Sequence, residues 1–364
     1  MPESGSDHDR FSQMADTVFR LSGARLVLDL SAEGSSYDFN PIHAYVEPNL
    51  ARFSYLKLTL SPPLVIDLFS ISNGSFDALY WFGLAVVGEL DTRQVSRASP
   101  AVFRTASLLR MVSLFLHSGS DIPSLIQIQI PWSHIVSLTL TSPGIRPCDA
   151  LRVLSQCSEL TSCCFLYIGD MLHTASGTAF SVGSICLPKL DFLDLGFIDG
   201  TPADEILAVL VLPSLSKLGL ASTNADDSAA LTRLFARSSC PLQVLKLEGH
   251  FPNLGPILES APLLRFLDGP EAYLRPAWMN ILPARLLRLT CCVTREDAFT
   301  FLDMLETILQ TEIGPRGWLT SAEVGVENAD EDVIRTLGLG LAVLELRYGW
   351  RSCVEFCKME AGFG

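Results

Sequence analysis

The stretch Leu187-Pro188-Lys189-Leu190-Asp191-Phe192-Leu193-Asp194-Leu195 decides the fold. Its last six residues have the form Leu-x-x-Leu-x-Leu, and the same phrase returns strictly at 215–220, 242–247 and 341–346. Allowing other apolar residues or glycine at the three fixed positions adds 55–60, 79–84, 111–116, 135–140, 160–165, 264–269 and 286–291. Up to 291 the phrases end 22 to 32 residues apart, and the long last interval has room for one more unit at Ala322-Glu323-Val324-Gly325-Val326. A pattern recurring every 20 to 30 residues or so is the signature of a stacked repeat.

In an extended segment neighbouring side chains point to opposite faces, so the repeated leucines turn inward and the residues between them turn outward. Proline often stands two residues before the phrase, as at Pro188 and Pro213. It lacks an amide donor and disfavours helix in the residue before it, so it is expected to end a helix and aim the chain into a strand. Helical spacing is read between the phrases at 149–156, 203–210, 227–237, 254–260 and 296–310. In the last of these Phe299, Leu302, Leu305 and Ile308 line one face, with Leu309 beside them.

The expected fold is an α/β leucine-rich-repeat solenoid, a horseshoe with parallel strands on the concave face and helices on the convex face. It is expected to span 25–350, opening with a strand marked by Leu26, Leu28 and Leu30. Residues 1–24 read as an N-terminal tail with a capping helix, through Phe11, Met14, Val18 and Leu21, and 351–364 as a C-terminal tail.

Composition narrows the function. With 48% hydrophobic and only 18% charged residues, the 364-residue chain has the material for a large core, which excludes intrinsic disorder. Against 40 acids stand 26 bases, a net charge of −14, the wrong sign for nucleic-acid phosphates or an anionic leaflet. Neither nucleic acid nor membrane is expected as a partner. Residues 1–10 carry no secretory signal, so a reducing compartment, cytoplasmic or nuclear, is expected, with the ten cysteines as free thiols.

Chemistry is sparse. No C-x-x-C pair, H-E-x-x-H or G-x-S-x-G occurs, and the six histidines are scattered. The adjacent pairs Cys163-Cys164 and Cys291-Cys292 fall on expected strands, where neighbours face opposite ways and do not share an ion. Asp226-Asp227 and Asp330-Glu331-Asp332 read as helix caps or solvated acids. The expectation is a non-catalytic protein with no cofactor and no metal.

What remains is the outward face. Its central column is expected to run Thr59, Gly83, Phe115, Thr139, Asp194, Gly219, Lys246, Asp268, Thr290 and Glu345. Trp81, Ser137, Phe192, Lys217, Val244, Phe266, Arg288 and Val343 flank it. Mixed aromatic, small and doubly signed side chains suit a protein epitope. The candidate binding residues are Trp81, Phe115, Thr139, Phe192, Asp194, Lys217, Lys246, Phe266, Asp268, Arg288 and Glu345.

Two longer phrases carry a resemblance. They are Ile130-Pro131-Trp132-Ser133-His134-Ile135-Val136-Ser137-Leu138-Thr139-Leu140 and Ala150-Leu151-Arg152-Val153-Leu154-Ser155-Gln156-Cys157-Ser158-Glu159-Leu160. Together with the Leu-Pro-x-Leu units that follow, they resemble the irregular leucine-rich-repeat region of fungal F-box-like proteins, over roughly 20–350. The resemblance implies a module that presents a client protein to a ubiquitin ligase, with the client and ligase components as partners. The family's ligase-docking helices, opening with a phrase like Leu-Pro-x-Glu, are not found in 1–21, so that part is expected to be absent or supplied elsewhere. Standard repeats carry an asparagine three residues after the last leucine; here Pro143, Ile198, Thr223 and His250 stand there, and less uniform turns are expected. The alternatives are a small-molecule or enzymatic pocket between irregular repeats, or a truncated duplicate without function.

Overall fold

The computed structural model describes residues 25–32, 40–71, 74–88, 103–116, 129–169, 183–198, 200–222, 227–249, 251, 254–273, 286–294, 298–311, 321–327, 335–336, 338–340 and 342–343. The chain divides into two compact units, Met1–Tyr167 and Ile168–Gly364. The capping helix expected before residue 22, Glu345 and the tail at 351–364 lie outside the described residues.

The first unit holds strands β1 (Leu26–Ala32), β2 (Phe53–Leu60), β3 (Trp81–Val86), β4 (Met111–Phe115), β5 (Ser137–Ile145) and β6 (Ser162–Ile168), the last residue of β6 beginning the second unit. They lie side by side in chain order, and the pairings from β1 to β5 are parallel. Helices Pro62–Ser70 (α1) and Pro147–Leu154 (α2) follow β2 and β5. Both carry proline in the first turn, where the missing amide would have no helical acceptor. Phe69, Phe76, Phe82 and Phe103 are fully buried together, with Phe103 4.6 Å from Phe82 and 5.1 Å from Phe76 between ring centroids.

The second unit repeats the plan. Strands β8 (Phe192–Phe197), β10 (Lys217–Ala221), β11 (Val244–Glu248), β12 (Phe266–Tyr273), β13 (Arg288–Thr294) and β14 (Ser321–Glu327) stack in parallel. Ile185–Cys186 (β7) and Leu210–Val211 (β9) form a separate short parallel ladder. Helices Asp204–Leu207 (α3), Asp227–Ser238 (α4), Gly255–Ser260 (α5) and Ala298–Thr311 (α6) fall within two residues of their expected starts, although α3 is a single turn.

The phrase behaves as its period requires. Leu193, Leu218, Leu245, Leu267 and Leu289 form one in-register row, Leu195, Leu220 and Leu247 a second, and all are buried. Each such side chain contributes about 1.5 to 3 kcal/mol by leaving water. A unit of one strand has no face to bury it against, so the coils are stable only when stacked.

Proline's role differs from the expectation at Pro188 and Pro213 and matches it at Pro262, which follows the end of α5. Leu190 donates its amide to the Leu187 carbonyl at 3.3 Å, Leu215 to Leu212 at 3.2 Å and Leu264 to Ala261 at 3.1 Å. Pro188, Pro213 and Pro262 therefore hold the second position of a four-residue turn, which their fixed φ presets. The short strands β7 and β9 directly precede Pro188 and Pro213, whereas α5 ends at Ser260 just before Ala261-Pro262. Units without proline make the same turn, Leu109 to Ala106 at 3.0 Å and Leu160 to Cys157 at 3.3 Å.

After the turn, two successive amides converge on one carbonyl of the preceding coil. Val136 and Ser137 meet the Arg110 carbonyl at 2.7 and 3.1 Å, and Ser216 and Lys217 meet that of Asp191 at 2.9 and 3.0 Å. In place of an asparagine ladder, varied groups tie coils 24 to 30 residues apart. The Thr161 hydroxyl donates to the Val136 carbonyl at 3.1 Å, Ser214 to Pro188 at 2.6 Å, and the Arg237 guanidinium to the carbonyls of Leu210 and Leu207. Buried Asp227 accepts the Ala203 amide at 3.1 Å and the Ser222 hydroxyl. These features define the α/β leucine-rich-repeat class for each unit.

In the strict phrase at 341–346 the two described residues are not in a strand. Ala342 and Val343 are helical, and Val343 joins Leu339 and Gly340 opposite Leu302 of α6 around a cleft of about 390 Å³. Its leucines suit a helix as well as a strand because Leu-x-x-Leu also matches helical spacing. The degenerate copy at 322–326 forms β14, the last strand among the described residues.

Candidate outward recognition face

The face opposite the leucines is built by the residues between them. In the second unit, Phe192, Lys217, Val244, Phe266 and Arg288 occupy one register row. Asp194, Gly219, Lys246, Asp268 and Thr290 occupy the next, as the sequence predicts. Lys217, Lys246, Phe266 and Arg288 are exposed, and Phe192, Asp194, Val244 and Asp268 are half-buried.

Lys246 is the centre of this second row. Its ammonium lies 2.5 Å from Glu248, and that hydrogen bond holds its pKa above the usual lysine range against desolvation, with the charges of Glu248, Asp268 and Asp194 adding to it. Asp194 reaches this group because its neighbour is glycine: a β-carbon on Gly219 would overlap Asp194 Oδ1. Lys217 lies one strand from Lys246 in the other row.

In the first unit the face combines an aromatic stack with an ion pair. Tyr55 and Trp81 stack at 4.1 Å with rings 6° apart, and the indole lies across the position of Gly83. Lys57 pairs with Asp29 at 2.8 Å, and that hydrogen bond raises its pKa.

Here the expected column needs correction at two strands. Gly83 pairs with Lys57 and Ser113, whereas Thr59 and Phe115 lie one step further along, beside Ala85 and Thr141. The repeats in β2 and β4 begin at Phe53 and Leu109, two residues before the phrases read from the sequence, and both residues are fully buried. A shift of two keeps every side chain on its face, so Thr59 and Phe115 still point outward while leaving the row of Gly83 and Thr139.

That displacement makes a feature the sequence does not signal. Phe115, Thr141, Pro143 and Tyr167, with Ala85 and Val87, line an open cleft of about 430 Å³ at the strand ends of the first unit. Tyr167 has φ of 66°, a region that bulky residues rarely occupy, and is 53% exposed.

Cys148, Cys157, Cys163, Cys164, Cys186 and Cys240 are thiols outside any disulfide. Cys163 is buried and Cys164 partly exposed, as alternation along a strand requires. Burial pushes the Cys157 thiol up to about 12. Cys291 and Cys292 lie on β13, while Cys353 and Cys357 lie outside the described residues. Among the described residues no group of three potential ligands could hold a metal, and no helix is long and apolar enough to cross a membrane.

The site thus belongs to a leucine-rich-repeat protein of the α/β class. No family model and no curated protein matches the chain. Among solved structures it is similar to an internalin, InlF, from Listeria monocytogenes, at 12% identity and a TM-score of 0.37, over 86% of this chain and 89% of that one.

Proposed function

We propose that this chain is a non-catalytic protein-recognition module that binds a client protein on its outward face. We further propose that it is the client-binding part of an F-box-type ubiquitin ligase adaptor, working in the cytoplasm or nucleus. The supporting observation is the pair of rows from Phe192 to Arg288 and from Asp194 to Asp268, unlike side chains fixed in register on strands whose other face is buried leucine. Rigid strands carrying aromatic and charged groups lose little entropy on docking. The ligase role draws on the resemblance of 130–160 to F-box-like repeat regions. The division into a tail at 1–24, an array at 25–350 and a tail at 351–364 belongs to the same proposal.

The test compares capture by the wild-type chain with capture by a Phe192→Ala, Lys246→Ala, Asp268→Ala variant. Loss of a client by the variant is the expected result, and equal recovery of all partners rejects the face. Co-recovery of cullin-type ligase components tests the adaptor role. The cleft beside Phe115 and Tyr167 favours a second reading, a small apolar ligand, whose mark is a rise in melting temperature with that ligand.

A further inference from the structure

The last strand of the first unit breaks its own alternation. Along β6 Cys163 and Phe165 are buried and Cys164 and Leu166 half-buried, so Tyr167 falls in the buried phase. Its left-handed backbone, with φ of 66°, resets that phase and leaves the side chain exposed in the cleft at the strand ends. Bulky residues are strained in that region, and such residues gather at ligand clamps and switches. Phe115, also exposed, is the other ring in the cleft. It pairs with Thr141 on β5, while the amides of Thr161 and Ser162 on the Val136 carbonyl set Leu166, next to Tyr167, beside the same Thr141. The two rings are therefore rooted two strand intervals apart, about 9.6 Å, with Thr141 and Pro143 lining the cleft between them.

From this arrangement we propose that the cleft binds a small, flat, uncharged aromatic molecule clasped between Phe115 and Tyr167. This inference rests on the second reading above, a small ligand in this cleft, and names its chemistry. Aromatic pairs pack with ring centres about 4.5 to 7 Å apart, so a ring held between two others needs them about 9 to 14 Å apart. Two strand intervals meet the lower end of that range. At about 430 Å³ the cleft is also of ligand size, the usual range being roughly 300 to 1,000 Å³. Among the described residues its lining holds no lysine, arginine, histidine or carboxylate, and the Leu116 amide is taken by the Thr141 carbonyl at 2.8 Å. A charged ligand would leave water there without a partner, and an anion would also meet the net charge of −14. The Tyr167 hydroxyl makes no hydrogen bond among the described residues and serves a single polar group on the ligand.

The test is equilibrium dialysis of the full chain at pH 7 against 2-naphthol, beside decahydro-2-naphthol, which has the same skeleton without flat rings, and 2-naphthoate, which adds a charge. The expected result is that 2-naphthol binds at least tenfold tighter than either, and that Phe115→Ala and Tyr167→Gly each weaken it at least tenfold. Glycine takes the left-handed backbone without strain, so Tyr167→Gly removes the ring and keeps the fold, as urea unfolding would verify. Phe115→Ala, at an exposed position, is the second variant should the first unfold. No binding of 2-naphthol, equal affinity for the saturated or the charged probe, or binding untouched by the substitutions overturns the proposal. If decahydro-2-naphthol binds as tightly and Phe115→Ala abolishes both, the flat-ligand chemistry falls and the small-ligand reading of the cleft stands. If none of the three probes binds, that reading falls with it.

Discussion

The carboxylate of Asp194 occupies the space over Gly219 where any other residue would carry its β-carbon. The two are register partners on β8 and β10, so a small residue on one strand lets a charge from its neighbour lean towards Lys246 on the next. Gly219→Ala is expected to destabilise by about 1 to 2 kcal/mol, since Asp194 must leave its position. The double variant with Asp194→Ala should recover most of the loss, as urea unfolding of all three proteins would read. Additive effects in that cycle would refute the contact.

Leu218 and Lys217 are adjacent on β10 but face opposite ways, one buried and one exposed. Leu218→Ala should cost about 2 to 5 kcal/mol through the cavity it leaves. Lys217→Ala should stay within about 0.5 kcal/mol. Comparable losses would mean that the leucine row is not the shared core.

Asp227 is buried at the start of α4, taking the Ala203 amide and the Ser222 hydroxyl. Removing the acceptor leaves two donors without a partner, so Asp227→Ala is expected to cost about 2 to 4 kcal/mol. Asp227→Asn keeps one oxygen and should cost less. Chemical denaturation followed by circular dichroism distinguishes them.

Cys157 stays protonated in the fold up to about pH 12 because burial opposes the thiolate. In the unfolded chain a thiol ionises near pH 8.5. Below that pH both states hold the proton and stability is unaffected. Above it the unfolded state releases its proton first, so stability should fall by roughly 1 kcal/mol per pH unit until the folded group titrates. The difference in slope between wild type and Cys157→Ala, measured from pH 9 to 11, isolates this group; identical slopes would contradict its burial. Thiol labelling at pH 8 should reach exposed Cys186 and spare Cys157.

The sequence by itself determined the repeat and the side chains that turn inward. A period of two along a strand and a period near 25 between strands are both written in leucines such as Leu193, Leu218 and Leu245, and each depends only on local geometry and burial. It also placed Phe192, Asp194, Lys217, Lys246, Phe266, Asp268 and Arg288 in their register rows, because the Leu-x-Leu ends of those strands are unambiguous. Register in β2 and β4 was decided only by tertiary structure. Tyr55, Leu58 and Leu60 satisfy the phrase as well as Phe53, Leu56 and Leu58, and pairing with the neighbouring strand selects between them. The same holds for the helical state of Val343, for the turn that Pro188 and Pro213 serve, and for the leaning of Asp194 over Gly219. Each depends on what lies across the gap to the next coil, some 25 residues away in sequence, and no local pattern encodes that distance.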